Sequence, residues 1–179
     1  MPTLDRSRSV LCLIDLQERL MAAIAGGEEV VANAARLLGT AEQLDVPVLM
    51  TEQNPKGLGP TVPALARPDG AVPVVAKMEF DACRADGVID QLPAGHHVVL
   101  AGCEAHVCVL QTALGLLDRS RRVYVVADAV GSRRPENRDA ALRRMERAGA
   151  EVVTTEMVAF EWLGTAADPR FKSVIGLVK

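Results

Sequence analysis

The chain lacks most of what would point to a macromolecular partner. Aromatic residues are 3% of its 179 positions (one Trp, one Tyr, three Phe), so stacking platforms for unpaired bases are not expected. Positive charge is not in surplus either: 20 Lys and Arg against 23 Asp and Glu leave a net charge of −3. Such a balance offers little to neutralise a phosphate backbone, which argues against nucleic acid as a partner. No apolar run approaches the roughly 20 residues that cross a bilayer. Residues 1–9 are polar, carry both signs and hold no apolar leader core, so no membrane partner is expected. Four Cys and three His are too few for a disulfide framework. Scattered thiols fit a reducing, cytoplasmic setting. Internal repeats and low-complexity linkers are absent as well.

What remains is an ordinary globular mixture, 49% hydrophobic and 24% charged. Its length suits one domain, residues 1–179, burying roughly 70% of the surface of the unfolded chain. Short apolar runs alternate with helical patterns. The runs are 10–14, 46–50, 72–76, 98–101, 123–127 and 152–153. Helical periodicity fills 18–44, with a break at Gly26-Gly27, and also 107–117 and 135–148. The last of these has Pro135 at its start and Gly149 just past its end. The segment 52–70 is rich in Pro and Gly and reads as loop. The tail, 157–179, reads as one or two short helices.

Runs of β-branched residues without alternation suit strands covered on both faces. The pattern therefore predicts a three-layer, Rossmann-like α/β fold: a parallel sheet of about six strands, helices on both faces and right-handed crossovers. A polar residue closes five of the runs: Asp15, Thr51, Lys77, Asp128 and Thr154. Ligands of open α/β sheets bind outside the carboxyl ends of the strands, at the topological switch point. With strand order 3-2-1-4-5-6, the first and fourth strands meet there. Asp15 then faces the turn after the fourth strand, and Lys77 reaches in from two strands away.

The cysteines separate by position. Cys12 lies inside the first run and reads as a small core residue. Cys83 follows the third strand and is left between surface and pocket rim. Cys103 and Cys108 bracket the turn from the fourth strand into a helix. Cys108 in the first helical turn would meet unsatisfied N–H groups and the helix dipole, which lower a thiol pKa. That makes it a candidate nucleophile, with Asp15 as its base, Lys77 holding that carboxylate, and backbone N–H groups of the turn meeting an oxyanion. The alternatives are an inert buried Cys108, or a regulatory disulfide between Cys103 and Cys108, whose spacing is not that of a Cys-x-x-Cys pair. Gln53, Phe80, Glu104 and His106 lie near the right strand ends to line a pocket. His96 and His97 precede the fourth strand, at the opposite edge of the sheet, and read as surface residues.

Three segments carry a resemblance to a family: Leu13-Ile14-Asp15-Leu16-Gln17, Ala76-Lys77-Met78-Glu79-Phe80, and Gly102-Cys103-Glu104-Ala105-His106-Val107-Cys108-Val109-Leu110-Gln111-Thr112-Ala113. They resemble the isochorismatase-like cysteine hydrolases, as does the stretch 123–133. The segment 51–59 is similar to the isochorismatase-domain branch rather than to the nicotinamidases. The resemblance spans nearly the whole chain in order. It implies an Asp15–Lys77–Cys108 triad, a cis peptide between Cys103 and Glu104, and an oxyanion hole from the N–H groups of Glu104 and Cys108. It also implies assembly into dimers or larger rings, for which the 52–70 loop and the 160–179 tail are candidate contacts. The nicotinamidases hold a metal through an Asp and His residues in the loop after the second strand. Here 51–70 contains no His, so no metal or other cofactor is expected. The isochorismatases proper cleave a vinyl ether and lack the nucleophilic cysteine, so Cys108 argues for another bond. The expected activity is hydrolysis of a small amide-like C–N substrate through a covalent thiol intermediate. A non-enzymatic oligomeric binding protein and a thiol redox sensor are the competing readings.

Overall fold

The computed structural model describes residues 3–179, apart from the side chain of Asp69. Met1 and Pro2, the start of the polar N-terminal stretch, lie outside the described residues. Six parallel strands form one sheet in the order β3-β2-β1-β4-β5-β6. They are β1 (Ser9–Ile14), β2 (Val48–Gln53), β3 (Val74–Lys77), β4 (His97–Cys103), β5 (Val123–Gly131) and β6 (Glu151–Val153). The central strands β1 and β4 are buried along their whole length. This is why their sequences are continuous apolar runs rather than alternating ones.

The helices divide between the two faces. On one side lie α2 (Gly27–Gln43), α6 (Thr155–Leu163) and α7 (Phe171–Val178), packed with Leu11, Leu13, Val99 and Ala101 of the sheet. On the other side α4 (Leu110–Asp118) and α5 (Pro135–Arg147) cover Val10, Cys12, Val98 and Leu100. Fully buried Leu37, Leu38 and Leu116 anchor these helices. Each such side chain contributes about 1.5–3 kcal/mol by leaving water. The helical stretch after β1 is interrupted at Gly26, whose φ of +66° ends α1 (Glu18–Met21) and its following turn before α2 begins. A single turn, α3 (Pro55–Leu58), lies inside the Pro-rich loop.

Three differences from the sequence pattern have local causes. β2 continues to Gln53, past its apolar run, because Gln53 pairs with Lys77 of β3. β5 continues through Asp128 to Gly131 after a register shift against β4. Asp128 is therefore not a strand end; its Oδ1 accepts from the N–H (2.8 Å) and hydroxyl (3.0 Å) of Thr155. Thr154 caps α6, accepting from the Met157 N–H. Two of the five polar run-ends thus serve helix α6. The third difference is His97. It is the first residue of β4, on the same face as Val99 and Ala101, and is buried against Tyr124 with ring centroids 5.7 Å apart. It is not a surface residue, because strand pairing with Ser9 begins at His97 itself. His96 stays half-buried.

Candidate active site

The other three polar run-ends converge. β1, β2 and β3 lie side by side and end at the same edge, with Ile14 opposite Thr51 and Gln53 opposite Lys77. Asp15 leaves β1 with φ +51°, a left-handed conformation that Asp tolerates better than most residues. Its N–H donates to the Thr51 carbonyl at 3.1 Å. One carboxylate oxygen, Oδ1, accepts from the Thr51 hydroxyl at 2.6 Å. The other, Oδ2, accepts from Lys77 Nζ at 2.7 Å, and both ionic side chains are fully buried. Lys77 Nζ also donates to the Glu79 carbonyl at 3.1 Å. A buried pair of this kind is tolerated only when its hydrogen bonds are made, and removing one partner costs about 3–5 kcal/mol.

Cys108 lies across the switch point, in a π-helical turn, Ala105–Val109, between β4 and α4. Gly102 makes the close approach of β4 to β1 possible: its φ is +125°, and a Cβ there would stand 2.0 Å from the Ile14 carbonyl oxygen. The Cys103–Glu104 peptide is cis. The Cys108 thiol is pushed up from its ordinary range, chiefly by burial. The charge of Asp15 raises it further, while Lys77 opposes it. This corrects the lowered pKa expected at a helix N-terminus. The turn is packed into the core with Ala105 and Val109, so desolvation and the adjacent carboxylate outweigh the dipole. Burial thus favours the protonated thiol, with the Asp15 carboxylate near enough for its charge to act on it.

The remaining candidates spread around this centre. Glu104 is buried, and its carboxylate accepts from the Arg133 N–H (2.9 Å) and Nε (3.1 Å), tying the π turn to the loop after β5. His106 Nδ1 stands 3.0 Å from Ser132 Oγ, and Asn137 Nδ2 lies 3.5 Å from Nε2. If Asn137 donates to Nε2, the ring proton sits on Nδ1 and points to Ser132. Gln53 Nε2 donates to the Met78 carbonyl at 3.2 Å, and Phe80 is 51% exposed. Gln53 and Phe80 therefore sit on the β2–β3 side and His106 on the β5–α5 side. A groove of about 330 Å³ opens beside Lys77, lined also by Pro55, Met78, Glu79 and Arg84.

Two residues belong to this centre that the sequence reading did not assign. Thr51 carried a signal, since it closes an apolar run like Asp15 and Lys77. Gln17 carried none beyond standing two positions after Asp15. It is fully buried; Oε1 accepts from the Gln53 N–H at 2.8 Å and Nε2 donates to the Gly59 carbonyl at 2.7 Å. Gln17 thereby fastens the Pro-rich loop over the ends of β1 and β2.

The other thiols lie elsewhere. Cys12 is core. Cys83 is also buried, not surface or rim, because the 3-10 turn Ala82–Arg84 lies on α4; its thiol donates to the Thr112 carbonyl at 3.7 Å. Cys103 packs on the α2 face and Cys108 on the α4 face, so the sheet separates them and a disulfide between them has no direct geometry. Among the described residues no three His, Cys, Asp or Glu side chains are grouped so as to hold a metal ion.

Known proteins share this fold. Residues 9–157 match the family model described as Isochorismatase domain. Isochorismatase domain-containing protein 2 of Homo sapiens is 43% identical over 182 residues, covering 99% of this chain and 88% of the human protein. The solved structure of MAR1 ribonuclease from Caenorhabditis elegans superposes with a TM-score of 0.92 at 39% identity, over 98% of this chain and 92% of that one. The YcaC gene product of Escherichia coli, an octameric hydrolase of unknown specificity, superposes with a TM-score of 0.85 at 25% identity, over 97% and 95%.

Proposed function

Because the chain belongs to the isochorismatase-domain family of hydrolases, we propose that it hydrolyses a small amide-like C–N bond with Cys108 as nucleophile. One observation carries this reading: a buried, ion-paired carboxylate, Asp15, stands at the switch point where the buried Cys108 thiol lies, and its charge acts on that thiol. In the first half-reaction Cys108 Sγ attacks the carbonyl carbon while the thiol proton passes to Asp15. The N–H groups of Glu104 and Cys108 meet the oxyanion. Asp15 then returns the proton to the leaving amine and a thioester remains. In the second half-reaction Asp15 takes a proton from the water that attacks the thioester and passes it to the departing sulfur, which frees the acid and restores the thiol and the Asp15 carboxylate. Lys77 balances the charge on Asp15 throughout and needs no proton of its own to move. Gln53, Phe80 and His106 are proposed to contact substrate around this centre.

A small substrate fits the net charge of −3 and the scarcity of aromatics better than a polynucleotide, although the C. elegans neighbour is named a ribonuclease. Location in the cytoplasm and assembly into a homo-oligomer belong to the same reading. The octameric E. coli neighbour supports assembly, as do the exposed apolar side chains of Met78 and Phe80. The test is Cys108→Ala: turnover of an amide panel and iodoacetamide labelling at that position should both vanish, with the fold intact by circular dichroism. Full turnover in that variant removes the nucleophile. A wild-type protein inert toward the panel, yet still binding its members, favours the non-enzymatic binding protein.

A further inference from the structure

The edge of the sheet opposite Cys108 holds charge that the proposed reaction does not use. Arg8 stands just before β1, and Arg121 and Arg122 just before β5. Between those strands lies β4, which begins at His97. All four residues line one cavity of about 390 Å³. Arg121 is fixed in place: Nη2 donates to the carbonyls of Pro93 (2.7 Å) and His96 (3.2 Å). Arg8 and Arg122 are exposed, and the ion pairs formed among the described residues use other arginines. The lining has one carboxylate, Asp5, already accepting from the Ser7 N–H (2.9 Å) and hydroxyl (2.7 Å). His97 is only 6% exposed, and its Nδ1 has no hydrogen-bond partner among the described residues. Three guanidinium groups around a buried, unpartnered imidazole, in a chain of net charge −3, form a local anion trap and not a diffuse background.

We propose that this pocket binds a small phosphate-bearing molecule, its phosphate seated among Arg8, Arg121 and Arg122 beside His97. The exposed guanidinium forks of Arg8 and Arg122 match phosphate oxygens two by two, while Arg121, whose Nε and Nη2 serve the His96 and Pro93 carbonyls, adds its charge. The volume falls within the roughly 300–1,000 Å³ of small-molecule sites, so more than a lone phosphate fits. The His97 Nδ1 is itself buried, so the phosphate is held by the guanidinium groups and acts on the imidazole through its charge. Binding has an electrostatic consequence. The His97 imidazole is held below its ordinary range, first by burial, then by Arg122 and Arg8. Asp5 on the N-terminal arm and Glu151 of β6 pull the other way, and Tyr124 of β5 faces the ring as a neutral group. A phosphate between Arg8 and Arg122 cancels their repulsion, so the His97 pKa rises on binding. By linkage, affinity rises as pH falls through the His97 titration.

The test titrates inorganic pyrophosphate, and separately inorganic phosphate, into the full chain. His97 and the amides of Ser120, Arg121 and Arg122 are followed by NMR, with sodium chloride at matched ionic strength as control. Saturable shifts at these positions, an upward move of the His97 pKa, and no comparable response at His106 support the site. In Arg8→Gln/Arg122→Gln the affinity should fall roughly tenfold or more, while iodoacetamide labelling of Cys108 is unchanged. Shifts reproduced by chloride alone, an unmoved His97 pKa at saturation, or undiminished affinity in the double variant overturn the proposal. None of these readouts depends on the identity of the amide substrate or on turnover.

Discussion

Both oxygens of Asp15 are held by a donor, and each keeps a further lone pair. Oδ1 is taken by the Thr51 hydroxyl and Oδ2 by Lys77, so its orientation toward Cys108 is over-determined. Thr51 is then a positioning residue for the proposed base. Thr51→Val keeps the shape and removes the donor; a hydrogen bond to a charged group is worth about 1.5–3 kcal/mol. The expected result is a fall in kcat/KM of roughly ten- to a hundredfold, borne mostly by kcat, with Thr51→Ser recovering most of it. An unchanged kcat in the valine variant would leave Thr51 with no part in catalysis. Asp15 also raises the Cys108 thiol, which gives a second prediction of opposite sign. In Asp15→Asn the raising charge is gone and Lys77 remains, so the thiol pKa drops. Iodoacetamide should then label Cys108 faster at neutral pH while turnover is lost. In the wild type, labelling at that position should keep climbing with pH beyond the range of an ordinary thiol near about 8.5.

Among the elements, β4 is the one whose placement the site depends on most. Gly102 lets it run against β1 where the two strands part, and a methyl group there would meet the Ile14 carbonyl at 2.0 Å with φ at +125°. Gly102→Ala should therefore cost more than about 3 kcal/mol, read as a large drop in thermal midpoint or loss of soluble protein. Gly149→Ala carries backbone strain too, with φ at +108°, but the nearest atom is 4.0 Å away, so it should cost less. The central strands β1 and β4 are legible because full burial writes them as unbroken apolar runs, and so are the Gly26 break and the run-end residues Asp15, Thr51 and Lys77. What local sequence does not carry is set by partners distant in the chain. The π turn at Ala105–Val109 replaces the first α turn without a local breaker. β5 outruns its apolar segment by pairing with β4. His97 is buried by Tyr124, 27 positions later, and Gln17 acquires its role only from Gln53 and Gly59. The Cys108 thiol departs from its local signal for the same reason: a dipole is readable from helix position, but desolvation depends on what the fold packs around the turn.

At the scale of the whole molecule, the sheet divides the interior into two cores, and both contain buried thiols. Cys12, Cys83 and Cys108 lie on the α4–α5 side and Cys103 on the α2 side. Burial pushes Cys12, Cys83 and Cys103 from the ordinary 9.0 up to about 12, and raises Cys108 as well. The native state thus keeps protons that the unfolded chain releases once pH passes about 9. Fewer protons on the unfolded state mean that stability falls as pH rises. Each thiol contributes up to about 1.4 kcal/mol per pH unit between its unfolded and folded pKa values. Tyr124, also raised chiefly by burial, acts in the same direction at higher pH. The stabilisation is therefore fully present below about pH 9 and lost progressively toward pH 12. Urea unfolding followed by circular dichroism in reducing buffer should show a flat free energy near neutrality and a steepening decline in alkali. Cys12→Ala and Cys103→Ala, one from each core, should each lower stability at neutral pH by opening a small void yet make the alkaline decline shallower. If both variants retain the wild-type slope, the alkaline loss comes from groups other than the thiols, and the protons of the two cores have no part in it.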